Sequence, residues 1–154
     1  MKINNFIAAP GNTYVIAEIG NNHNGSFNLA KEMIDKAILA GANCVKFQMR
    51  TLNEVYRKQS SKKSGEDLGT EYVVDLLKKF ELSKEEHRKL FDYCNKKNIT
   101  YLCTPWDSVS LNFLEELGLS AYKVASADLT NIPLIECLIE TGKPLILSTG
   151  MSTT

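Results

Sequence analysis

No sign of charge dominates this 154-residue chain: Lys+Arg and Asp+Glu number 18 each, so the formal net charge is zero. Without a basic excess there is no electrostatic stripe for nucleic acid, and without a polybasic segment no means of docking on an anionic membrane. Long hydrophobic runs are missing too. No stretch reaches the roughly 20 apolar residues that span a bilayer, and the opening MKINNFIAAPGNTY lacks the apolar core of a secretory signal. The expected location is the cytoplasm. Histidine is scarce, with only His23 and His87. The four cysteines, Cys44, Cys94, Cys103 and Cys137, contain no C-x-x-C pair and have neither histidine near them, which argues against zinc. Their apolar surroundings predict buried, reduced thiols. His87 lies in the charged run KEEHRKL and is expected on a solvated helix face, which leaves His23 alone and a histidine-based metal site incomplete.

What the chain does have is alternation. Apolar, β-branched runs at Tyr14–Ile19, Cys44–Gln48, Ile99–Cys103, Ala121–Ala125 and Pro144–Ser148 read as strands. Between them lie helical patterns. One carries Leu29, Met33, Ile34, Ala37 and Ile38 and is closed by Gly41. Others run near Glu71–Lys79, from the Ser83/Glu86 capping box to about Lys97, and from Ser108 to Leu117 before Gly118. The last opens at Asn131 with Pro133 and closes at Gly142. Strand and helix alternating five times predicts a parallel sheet covered by helices. No G-x-G-x-x-G follows the first strand, which disfavours the dinucleotide-binding open sheet. The expected fold class is α/β, of the parallel (β/α)8 TIM-barrel type. A full barrel needs eight units and roughly 250 residues, so only about the first five units are expected here. The polar segment Asn53–Gly69 is expected to be an exposed excursion, or a loop that covers a substrate.

Chemistry in parallel α/β proteins gathers where strands end. The strand ends here offer Glu18 with Asn22 and His23 beyond it, then Lys46 and Gln48, Thr104, Lys123 with Ser126 and Asp128, and Ser148. Two lysines inside apolar strands are unusual. A buried ammonium persists only with a counter-charge, and two beside hydroxyl groups make a pocket for phosphate or carboxylate. The competing reading puts Lys46 and Lys123 on edge strands facing water; strand parity alone does not decide between the two. His23 is expected to serve as a structural hydrogen-bonder, and Trp106 to cover the barrel rim.

Five stretches in order, AEIGNNHNGS, VKFQ, TPWD, YKVASADLTN and LSTGM, resemble the strand-end motifs of the sialic acid synthase (N-acetylneuraminate synthase) family over about Tyr14 to Met151. The resemblance implies a barrel enzyme that condenses phosphoenolpyruvate with the open-chain aldehyde of an N-acylated amino sugar such as N-acetylmannosamine. The matching positions imply a phosphoenolpyruvate pocket of Lys46, Thr104, Lys123, Ser126 and Ser148, and a catalytic, sugar-contacting Glu18. Asn22, His23, Gln48 and Asp128 fall on the sugar side or in support. Met49 stands where many members have threonine, Ala127 where many have glycine, and Asp128 where glutamate is common.

The resemblance further implies Mn2+ or Mg2+ at the aldehyde, with its ligands beyond Thr154, a homodimer, and a C-terminal antifreeze-like domain that closes the partner's site. On that basis residues 1–154 are expected to be the N-terminal portion of a synthase barrel, inactive and prone to aggregate alone. Two other functions fit the same residues: an aldolase-type lyase using Lys123 or Lys46 as a Schiff-base amine, and a non-catalytic half-barrel that binds a phosphate ligand.

Overall fold

The computed structural model describes residues 2–7, 9–56, 70–150 and 152–153. Three parallel strands, β3 (Ile16–Gly20), β4 (Cys44–Met49) and β5 (Thr100–Pro105), form one sheet in the order β3-β4-β5. Its register sets Glu18 beside Lys46, Lys46 beside Leu102, and Gln48 beside Thr104. β6 (Tyr122–Val124) and β7 (Leu145–Leu147) form a second parallel pair. β6 packs beside β5. The five predicted strands are all present, but as a three-stranded sheet and a two-stranded one rather than a single ladder. Among the described residues, the three-residue β6 pairs with β7 alone.

Four of the helices begin at a side-chain N-cap. Helix α1 (Phe27–Leu39) is capped by Ser26, whose Oγ accepts from the Leu29 N–H, and the chain leaves it through Gly41 at φ +80°. Short α2 (Leu52–Val55) and α3 (Thr70–Phe80) follow β4. α4 (Lys84–Lys96) begins with the full Ser83/Glu86 capping box. α5 (Ser108–Leu117) starts at Asp107, which accepts from the Ser110 N–H, and ends at left-handed Gly118. α6 (Ile132–Glu140) starts at Asn131 with proline in its first turn. Of the expected 53–69 loop, residues 57–69 lie outside the described residues.

Strand alternation separates two apolar layers. On the outer face Val45, Phe47, Tyr101, Cys103, Tyr122 and Val124 pack against Ile34 of α1, Leu90 of α4, Leu114 of α5 and Leu138 of α6. On the inner face Cys44, Leu102 and Ala121 pack with Ile3, flanked by Tyr14, Ile16 and Ile146. Ile3 belongs to an N-terminal antiparallel hairpin, β1 (Lys2–Ile3) with β2 (Phe6–Ile7), and is 1% exposed. The hairpin therefore plugs the end where the strands begin. This leaves the inner face apolar at the strand starts and polar at the strand ends.

Cys44, Cys94 and Cys103 are buried and unpaired, whereas Cys137 on α6 is half-buried. Burial pushes the first three thiols up to about 12. No described helix is long and apolar enough to cross a membrane.

A candidate anion site at the strand ends

Parity in the strands settles where the two lysines point. Lys46 lies in register with Glu18 and Leu102, and Leu102 belongs to the inner layer. Lys123 pairs with Ile146, which packs on that same layer. Both ammonium groups therefore sit on the inner face, and the reading that put them on solvent-facing edges is excluded.

The Lys46 side chain is almost fully buried, and its Nζ is 2.8 Å from Glu18 Oε2 and donates to Thr104 Oγ1 at 3.1 Å. The Glu18 side chain is half exposed, at the open end of the face. Lys123 is half-buried and donates to Ser148 Oγ and, at 2.6 Å, to the Val124 carbonyl. Burial lowers the Lys123 ammonium from its ordinary range, the nearby Lys46 charge lowers it further, and Glu18 opposes both. Geometry places the two cations on the same inner face. Two ammonium groups against one carboxylate leave a positive charge in excess, and Thr104 and Ser148 add hydroxyls. The arrangement is suited to an anion with several acceptor oxygens.

Gly20 shapes the mouth beside these groups. It holds φ +53°, and a Cβ there would lie 3.2 Å from Gln48 Nε2 and 3.3 Å from Glu18 Oε1. Gln48 is half-buried, and its Oε1 accepts from Arg50 Nη2 at 2.7 Å. The Arg50 guanidinium lies 4.6 Å from the centre of the half-exposed Trp106 ring. Neither Arg50 nor its partnership with Gln48 was drawn from the sequence. The i, i+2, i+4 spacing of Lys46, Gln48 and Arg50 was the available signal.

Other predicted residues do different work. Asn22 is exposed and donates from Nδ2 to the Ile19 carbonyl at 2.9 Å, which holds the turn after β3. His23 is 2% exposed, and its Nδ1 accepts from the Gly25 N–H at 3.1 Å. Burial holds its pKa below the usual histidine range. It thus makes a structural hydrogen bond, and it lines a small cavity together with Gln48 and Arg50. Ser126 opens a 3-10 turn (Ser126–Asp128) and lies against Gly150, with no side-chain hydrogen bond among the described residues. Asp128 is buried; its Oδ1 accepts from Asn131 Nδ2 at 3.3 Å, while Oδ2 has no partner among the described residues. Among those residues no three His, Cys, Asp or Glu side chains gather as a metal site.

One expectation fails outright. His87 is 1% exposed, not solvated, and its Nδ1 is 2.6 Å from Tyr101 Oη. His87, Leu90 and Cys94 fall at i, i+3 and i+7 and are the buried stripe of α4. The charged neighbours in KEEHRKL occupy the other faces of the helix. Burial, with His23 adding to it, lowers His87 to about 4.

Residues 33–154 match the NeuB family. The chain belongs to that family. Among curated relatives of this NeuB-family chain, the N,N'-diacetyllegionaminic acid synthase of Campylobacter jejuni is 40% identical over 145 residues, covering 91% of the chain and 43% of the relative. The human N-acetylneuraminate-9-phosphate synthase is 33% identical over 141 residues, covering 90% of the chain and 39% of that protein. The crystal structure of N-acetylneuraminic acid (sialic acid) synthetase from Leptospira borgpetersenii, in complex with citrate, superposes with a TM-score of 0.88 at 35% identity. It covers all of this chain and half of the other. The NeuB-family chain thus has the fold of the first β/α units of a synthase barrel and spans about two-fifths of the length of these curated relatives.

Proposed function

We propose that the inner mouth binds phosphoenolpyruvate and that the protein condenses it with the open-chain aldehyde of an N-acylated amino sugar, giving a nonulosonic acid and phosphate. The convergence of Lys46 and Lys123 on one face, with Thr104 and Ser148 as donors, carries this reading. An enol phosphate brings a phosphate and a carboxylate, and two point cations with flanking hydroxyls suit both. In the reaction, carbon three of the enolpyruvate attacks the aldehyde carbon and a C–C bond forms. Water adds to the resulting oxocarbenium carbon, and the tetrahedral adduct expels phosphate by C–O cleavage. Glu18, half exposed and already paired with Lys46, is placed to hold a proton or a sugar hydroxyl at the open side. The Mn2+ or Mg2+ implied by the family finds no ligand cluster among the described residues, and no step here is routed through it. A homodimer belongs to the same proposal.

Phosphate release from phosphoenolpyruvate with a panel of N-acyl hexosamines, on the full-length protein, tests the reading. Release that depends on both substrates and is lost in Lys46→Met is expected. Release that is independent of the sugar would overturn it. One observation favours a second reading: the lowered Lys123 ammonium yields a free amine more readily than an ordinary lysine. Borohydride trapping of pyruvate on Lys123 would identify a Schiff-base lyase instead.

A further inference from the structure

Gln48 stands beside Glu18 at the mouth, but an amide can present either its oxygen or its nitrogen, and these invite opposite partners. The structure resolves that ambiguity chemically. A guanidinium only donates, so the amide atom at 2.7 Å from Arg50 Nη2 must be the carbonyl oxygen. The Nε2 group is then turned toward Gly20 and Glu18, and a Cβ on Gly20 would approach it to 3.2 Å. Arg50 is itself held. It stacks on the Trp106 ring at 4.6 Å, and the Trp106 backbone N–H donates to the Met49 carbonyl at 3.0 Å, fixing that residue's backbone against the end of β4.

We propose that Arg50 is a positioning residue. Clamped by Trp106, it locks the Gln48 side chain so that Nε2 is offered as a donor to an acceptor oxygen, a hydroxyl or carbonyl, of the second substrate. Arg50 acts through Gln48 and does not itself touch the reacting atoms. The substrate assignment rests on the reading above; the locking of Gln48 does not.

Two measurements on the full-length protein separate these. The first is NMR with glutamine side chains labelled with nitrogen-15, the Gln48 signal being identified by its loss in Gln48→Ala. In the unmodified protein the two Nε2 protons should be well separated and slow to exchange with water. In Arg50→Ala that exchange should be at least ~10-fold faster, with Arg50→Lys in between, because an ammonium cannot replace the planar stacked fork. Unchanged Gln48 signals in Arg50→Ala, in a protein whose melting temperature is preserved, would overturn the proposal.

The second is steady-state kinetics with phosphoenolpyruvate and N-acetylmannosamine. Arg50→Ala should raise KM for the sugar ~10-fold and leave that for phosphoenolpyruvate within about twofold. The double variant with Gln48→Ala should be no worse than Gln48→Ala alone. Losses that multiply would mean that Arg50 acts independently, against the proposal. A protein that turns over none of the N-acyl hexosamines refutes the synthase reading, while the amide exchange still decides the role of Arg50.

Discussion

In the proposed site, Lys123 trades ligand affinity against stability. Its folded pKa is depressed, so folding disfavours the charged form. That cost is fully present while the group is protonated in both states, and it disappears as pH rises through the depressed value and then the ordinary 10.5. Lys123→Met should therefore raise the melting temperature while weakening phosphoenolpyruvate binding roughly 10- to 100-fold, as loss of a charge-assisted contact does; calorimetry and thermal melts report both. In the unmodified protein, affinity should fall as pH climbs through the depressed pKa, below the usual lysine range.

His87 acts with the same sign, in a lower pH window. Its pKa drops from 6.5 to about 4 on folding, so the unfolded chain takes up a proton first as pH falls between those values. Stability should be unaffected by this group above 6.5 and should decline toward pH 4, by on the order of 3 kcal/mol in total. Denaturant melts of His87→Gln should lose most of that pH slope. The sequence showed that lysines sat near strand ends, because position along a strand is legible. It did not show the direction of the side chains, which depends on register. It misplaced His87 because charge density in KEEHRKL hides a three-residue stripe.

Among the elements, the β3–α1 loop and the end of α3 meet at a point with no spare room. Gly25 holds φ +76°, and a Cβ on it would lie 2.4 Å from the Lys79 carbonyl oxygen and 3.4 Å from Phe80 Cα. Gly25→Ala combines left-handed strain of about 1–2 kcal/mol with a backbone clash, so α3 must shift. A melting temperature unchanged from that of the unmodified protein would show that this contact does not hold. Faster amide exchange over α3 is the expected signature. Helices were the most readable part of the chain, since Ser83 with Glu86 and Asn131 with Pro133 announce their own N-termini. The β1–β2 hairpin was not readable, because two-residue strands have no periodicity to detect. Short α2 escaped for the same reason.

At the level of the whole molecule, the two ends of the inner face do separate jobs. Ile3 closes the end where the strands start, and the charged groups occupy the other. Ile3→Ala should cost about 3 kcal/mol through the cavity it leaves among Cys44, Leu102 and Ala121, and should leave phosphoenolpyruvate affinity unchanged. Chemical denaturation with parallel ligand titration checks both halves of that statement. The (β/α) order was legible because strand and helix periods alternate cleanly. The split into a three-stranded and a two-stranded sheet was not, since pairing depends on contacts far apart in sequence.

The uneven burial of the cysteines gives the molecule a built-in attachment point. With three thiols inside and raised to about 12, a maleimide reagent at neutral pH should react first at Cys137 on α6, the half-buried one of these four. Intact-mass spectrometry should find a single adduct, and a fluorophore placed there would report on the helical exterior while leaving the lysine-lined mouth unmodified.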